Sequence, residues 1–251
     1  MEDTILLVAH GSRKQSSNQA VESFVKTWRQ RQPNTRIEVC FLAFADITLE
    51  IGLDHAAQHA QRVIVVPLML GAGTHVNVEI PQHIQQANQR HHDVHFVMTQ
   101  HLGADPKVLQ ALQLELDKTL HDSNISHAQH TGVVVLAHGS SDKETNAEVA
   151  KIARWMFEEN QCAMVDIAFT SITSPSLETV VQRQVACSMH HIIVLPYYLY
   201  TGILIERIGH QVEVLKQTYP STSFGLGKCI GSATVMYDLL DERVAKAKEV
   251  N

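Results

Sequence analysis

Two histidines stand just beyond short apolar runs, where an imidazole is free to do chemistry. His10 closes the run ILLVAH and is followed by Gly11 and Ser12; His75 follows VIVVPLML in the stretch GAGTH. A neutral imidazole binds first-row cations such as Fe²⁺, Co²⁺, Ni²⁺ or Zn²⁺, and near neutral pH it also accepts protons. Gly11 permits a sharp turn, while Gly71 and Gly73 allow the backbone to come close to a ligand. Ser12 can cap a helix or offer its backbone N–H to an anion. A histidine after a strand also serves as a cap or as a satisfied structural residue, and on residue types alone that reading stands beside the ligand-binding one.

The elements that must hold these residues alternate along the chain. Short β-rich runs at residues 4–9, 37–44, 63–70 and 94–98 are separated by longer amphipathic stretches such as 18–31 and 49–61. Continuous apolar strands separated by helices read as βαβ units around a buried parallel sheet. Ligands of such sheets bind outside the carboxyl ends of the strands. That rule selects His10-Gly11-Ser12, the segment 41–46 and the segment 71–75. Adjacent strand ends lie side by side, so His10 and His75 are expected to face one pocket.

The chain also repeats itself. ILLVAHGS (5–12) returns as VVVLAHGS (133–140), which places His10 and His138 at an offset of 128. Asn18 then pairs with Asn146, Val21 with Val149, Phe41 with Phe169, and Leu49-Glu50 with Leu177-Glu178. VIVVPLMLGAG (63–73) matches IIVLPYYLYTG (192–202) at an offset of 129, and Leu102-Gly103 matches Ile230-Gly231 at 128 again. Matched blocks in one order indicate two copies of one α/β fold, with second-copy strands at 132–137, 164–169, 191–198 and 222–226. Each lobe is expected to hold about four parallel strands flanked by helices. The polar stretch 121–132 reads as a linker, giving an N-terminal lobe at 1–124 with the active site and a C-terminal degenerate lobe at 125–251.

Composition narrows the class of function. With 251 residues and 45% hydrophobic content, each lobe can bury a core without disulfides or metal. A formal charge of −6 opposes general nucleic-acid binding and a polybasic membrane anchor. No apolar run reaches the roughly 20 residues that span a bilayer, and MEDTILLVAH lacks the basic start of a signal peptide. Cys40, Cys162, Cys187 and Cys229 are far apart with no CxxC, which fits a reducing cytoplasm.

The pattern strand-HGS followed by VVPLMLGAGTHVNVEIP (65–81) resembles the CbiX/SirB-type sirohydrochlorin chelatases, and the resemblance covers nearly the whole chain. Long members of that family are fused tandem repeats, and short members form the same arrangement as homodimers. The resemblance implies the chelatase fold, two α/β lobes across a cleft. It also implies insertion of Fe²⁺ or Co²⁺ into sirohydrochlorin for siroheme or cobalamin synthesis. The metal, with Ni²⁺ a further candidate, is then a substrate, and no organic cofactor is needed. His10 and His75 become the catalytic and metal-binding pair, with Glu79, four residues after His75, a third candidate ligand or a helix-dipole acid. Ser12, Arg13 and Gly73 are expected to bind the polycarboxylate substrate, with Lys14 and Arg207 adding positive charge. Since fusion supplies both lobes, a monomer suffices.

The second copy keeps His138 but has Leu204 where His75 is expected, and Ile208 opposite Glu79, so it reads as lacking a metal site. Tyr197, Tyr198, Tyr200 and Leu204 are then candidates to pack against the macrocycle. The family commonly has an acidic residue after the second strand, in a pattern like F-L-E-x-A; here FLAFAD puts Ala43 there, and the second copy is read with Thr170. Asp46 or Glu79 can substitute. The missing carboxylate keeps open an alternative, a degenerate chelatase that binds a tetrapyrrole or metal without turnover. A histidine phosphatase would need Arg before His10, where Ala9 stands. The other members of the set of 16 histidines, including His55 and His59 at helical spacing, His91, His92 and His95, His190-His191, and His121, His127 and His130, read as surface residues.

Overall fold

In the computed structural model, which describes residues 3–58, 60–125, 130–160 and 162–249, the alternating pattern becomes two separate sheets. The first is built from β1 (Asp3–Ala9), β2 (Arg36–Phe41), β3 (Arg62–Pro67) and β4 (His95–Met98), in the order β2-β1-β3-β4. The second is built from β5 (Thr131–Ala137), β6 (Met164–Phe169), β7 (His191–Pro196) and β8 (Ser223–Leu226), in the order β6-β5-β7-β8. All neighbours are parallel. The expected repeat is thus a repeat of topology. Leu6, Leu7 and Val8, and Val133 to Leu136, are fully buried, which is why these strands read as unbroken apolar runs.

The helices are α1 (Gln15–Arg31), α2 (Leu49–Ala57), α3 (Ile80–Arg90), α4 (Pro106–Asp122), α5 (Lys143–Glu159), α6 (Leu177–Ala186), α7 (Ile203–Thr218) and α8 (Thr234–Glu249). None is long and apolar enough to cross a membrane among the described residues. The strands after residues 41, 67 and 196 end sooner than the apolar runs suggest. Leu42 bonds only the carbonyl of Ala9, and Pro67 and Pro196 terminate β3 and β7.

The compact units do not divide at the repeat boundary. One comprises the residues through Gly103 together with those from Thr234; the other is Ala104–Ala233. Helix α4, placed by sequence in the lobe 1–124, packs on β7 and β8, whereas α8 packs on β3. Within the first unit Tyr237 of α8 stacks on Phe24 at 4.4 Å, and Asp241 accepts a hydrogen bond of 2.7 Å from Nε1 of the fully buried Trp28. Amphipathic periodicity says that one face of α4 or α8 is buried; it does not say against which sheet. Of the linker, residues 126–129, including His127, lie outside the described residues, as does His59.

Candidate active site

The strand order decides where a ligand belongs. From β1 the chain crosses to β2 on one side, then to β3 on the other, so the crevice at the carboxyl ends of β1 and β3 is the topological switch point. His10 directly follows β1, and His75 opens the helical segment after β3. Their rings lie 4.8 Å apart between centroids, edge to face at 80°. The expectation that they share one place is met.

Each ring is held by its Nδ1. Nδ1 of His10 is 2.9 Å from the carbonyl oxygen of Gly11. A carbonyl only accepts, so Nδ1 carries the proton and the neutral ring presents the Nε2 lone pair. Nδ1 of His75 lies 2.5 Å from Oε2 of Glu79, and the carboxylate fixes the same tautomer. His10 is exposed and His75 half-exposed, and in each ring Nε2 is the nitrogen that these contacts do not use.

A one-residue insertion makes the second pair. Ile80 donates its N–H to the carbonyl of His75, five residues back, so residues His75–Glu79 form a π-helical turn. In the second unit α7 begins as an ordinary α-helix at Ile203. Pro67 and Pro196 end β3 and β7 at an offset of 129, yet the buried Ile80 and Ile208 sit at 128. The extra residue of the first copy thus lies between them, and the π turn absorbs it. The residue opposite Glu79 is consequently Arg207, not Ile208.

The turn after β1 is tightly built. Gly11 has φ +84°, and a Cβ there would stand 1.8 Å from the Ala43 carbonyl oxygen. The Ser12 backbone N–H donates to Asn18 Oδ1 at 2.8 Å, and its hydroxyl oxygen accepts from the Lys14 N–H at 3.1 Å. Both groups cap the turn into α1. Of the two roles open to Ser12, this is the capping one, and its hydroxyl proton remains available to donate. Arg13 is exposed, with its guanidinium carbon 5.0 Å from the centre of the Phe44 ring. Gly73 has φ +47°, and no atom lies within 4 Å of where its Cβ would stand. The left-handed conformation favours glycine here, with open space before it.

Ala43 donates its N–H to the His10 carbonyl at 3.0 Å, and Ser171 does the same to His138. Ser171, not Thr170, therefore matches Ala43; Thr170 matches Leu42. Neither copy supplies a carboxylate there, and Asp46 is exposed. Among the described residues no group of three or more His, Cys, Asp or Glu is placed to hold a metal ion. His10 and His75 bring two imidazoles together, and Glu79 engages His75 through Oε2.

The second unit replaces this chemistry with a hydrogen-bonded chain. Thr170 Oγ1 lies 2.9 Å from the Tyr198 hydroxyl and 3.4 Å from Nδ1 of His138. Burial pushes the Tyr198 phenol up to about 12, against the opposing effect of the Thr170 bond. Tyr197 is buried, while Tyr198, Tyr200 and Leu204 are half-buried. Among the peripheral histidines His91 departs from the surface reading: it is half-buried, with its Nε2 2.8 Å from Asp54 beside Arg90. His130 and His190 stack at 4.9 Å and are exposed, as expected. His55 and His92 are exposed as expected.

Two four-stranded parallel units, with an imidazole pair at the switch point of one, define a tandem-repeat α/β protein. The family model CbiX matches twice, over residues 4–119 and 132–247, and the chain belongs to that family. It is 29% identical over 98% of its length to a sirohydrochlorin cobaltochelatase of Priestia megaterium, covering 80% of that protein. It is 30% identical over 85% of its length to a sirohydrochlorin ferrochelatase of the same organism, covering 79% of that protein. The solved structure of SirB from Bacillus subtilis with Fe³⁺ superposes with a TM-score of 0.84 at 25% identity, covering 99% of this chain and 96% of that one.

Proposed function

We infer that the protein is a sirohydrochlorin chelatase, which exchanges the two pyrrole N–H protons of sirohydrochlorin for one divalent cation, Fe²⁺ or Co²⁺. The observation that carries this reading is the imidazole pair, each ring held through its Nδ1, at the switch point of a chain with two CbiX repeats. Insertion requires that the cation lose water and that two protons leave the ring. Two imidazoles can pass the cation on and take a proton. A complete four-ligand cage would retain it, so a two-nitrogen site suits turnover. Glu79 acts through His75: it orients the ring and strengthens it as a donor. Ni²⁺ suits the same nitrogen donors. The positive rim for the substrate carboxylates falls to Arg13. The four cysteines are free, which suits a reducing compartment such as the cytoplasm, and a monomer already carries both repeats.

Ala43 favours one second reading, a protein that binds tetrapyrrole or metal without turnover. An absorbance assay of the purified protein with metal-free sirohydrochlorin and Fe²⁺, Co²⁺ or Ni²⁺ separates the two. A metal-dependent rate above the uncatalysed one supports the enzyme; binding of the tetrapyrrole without such a rate leaves only the second reading.

A further inference from the structure

The loop after β2 places a large apolar residue where folding gains nothing from it. Phe44 has φ +57° and is 52% exposed. A bulky side chain in the left-handed region is an outlier, and glycine or asparagine would adopt it at lower cost. An exposed ring gains little from the hydrophobic effect. The conformation is nevertheless enforced. The Phe41 N–H donates to the Ile47 carbonyl, closing the loop at its base, and Asn18 Nδ2 donates to the Phe44 carbonyl at 3.1 Å. The second unit has the same arrangement. Ile172, at the offset of 128 from Phe44, has φ +64° and is 63% exposed, above a loop closed by the Phe169 N–H and the Pro175 carbonyl. Two copies that have diverged at His75 and Glu79 both keep a strained, solvent-facing apolar residue one position beyond the one bonded to the histidine carbonyl.

We propose that Phe44 and Arg13 form a contact site for the flat face and acidic edge of the tetrapyrrole. Strain of this kind persists where surrounding structure over-determines it, and it collects at ligand clamps. The neighbouring Ala43 donates its N–H to the His10 carbonyl, so the backbone that carries Phe44 runs beside that of His10. A macrocycle whose centre lies over the imidazole pair extends past it towards the loop. The Phe44 ring then packs against the macrocycle face. Arg13, stacked on the same ring at 5.0 Å, turns its outer N–H groups to a peripheral carboxylate. Phe44 is thus a substrate-contacting residue, and the proposal rests on the chelatase reading above.

The test exploits the opposing effects of strain and contact. Phe44→Gly and Phe44→Asn both suit the left-handed backbone and remove the ring. Metal-free sirohydrochlorin is titrated into each full-length variant, KM and kcat for insertion are measured, and Tm is recorded. The expected result is a rise of roughly tenfold in Kd and KM, the loss of one aromatic face, with Tm unchanged or higher and the loss falling on KM rather than kcat. Unchanged Kd and KM in variants whose Tm is retained would overturn the proposal. So would a fall in Tm in both variants, which would make Phe44 a structural residue. Failure of the wild type to bind or metallate sirohydrochlorin would instead remove the chelatase reading itself.

Discussion

Nδ1 of His75 lies 2.5 Å from Oε2 of Glu79, across a π-helical turn where the second unit has the ordinary α-helical start of α7. The pairing makes Glu79 a positioning residue. Replacing it should weaken the imidazole without removing it. We expect Glu79→Ala to lower kcat/KM by roughly 10–100-fold, the usual effect of losing a carboxylate behind a ligating histidine. Glu79→Gln, which still accepts a hydrogen bond, should fall between. Co²⁺ titration should show weaker binding in the same order. Wild-type behaviour of Glu79→Ala would show that the pair does no work.

The asymmetry between the two units predicts unequal histidines. His75→Ala should abolish insertion, and His10→Ala should do the same or nearly so. His138→Ala should retain most of the activity, because the stretch after β7, YYLYTGILIERI, carries no counterpart of His75 and Nδ1 of His138 faces Thr170. Steady-state rates on the three purified variants decide this. Equal loss at His75 and His138 would contradict a single metal-handling site.

The exchange of terminal helices predicts a long-range dependence. Removing residues 234–251 strips Tyr237 from Phe24 and the Asp241 acceptor from Trp28. It also takes away the Arg243 guanidinium that donates to the His101 and Leu102 carbonyls. The first unit should then fail to fold, with loss of the near-ultraviolet dichroism of Trp28 and of insertion. A fragment of residues 1–124 should fail likewise. The point variant Asp241→Ala should cost about 1–3 kcal/mol in urea denaturation, since it leaves a buried indole N–H unsatisfied. A native-like fragment 1–124 would refute this division.

Acid should weaken the first sheet through Asp3. Its carboxylate receives two hydrogen bonds of 2.8 Å from Arg62, joining β1 to β3. These bonds hold its pKa below the ordinary carboxylate value despite opposing burial, with Lys248 adding to the effect. A folded pKa below the unfolded one, about 3.9, means that the contribution is complete above the unfolded value. It is lost as pH falls through the folded value. Asp3→Asn should therefore lose about 1–3 kcal/mol at neutral pH and show a flatter acid limb in urea denaturation followed against pH. Parallel curves for variant and wild type would contradict it.

Much of this site is legible in the sequence. Apolar runs bounded by glycine and proline fix the strands because a doubly covered parallel strand must be apolar on both faces. The repeat fixes the topology twice, and the strand-end rule brings His10 and His75 to one crevice. What the sequence left open has a common physical reason: it depends on contacts between distant residues or on local geometry without a residue signature. Periodicity shows that α4 and α8 have apolar faces, but only packing assigns α4 to the second sheet and α8 to the first. The π turn is one residue in the count between Pro67 and Ile80, too little to break a helical pattern, yet it sets Glu79 on His75 and Arg207 opposite Glu79. Phe44 in the left-handed region contradicts its own residue preference, so only the loop closed by Phe41 and Ile47 and braced by Asn18 could place it there.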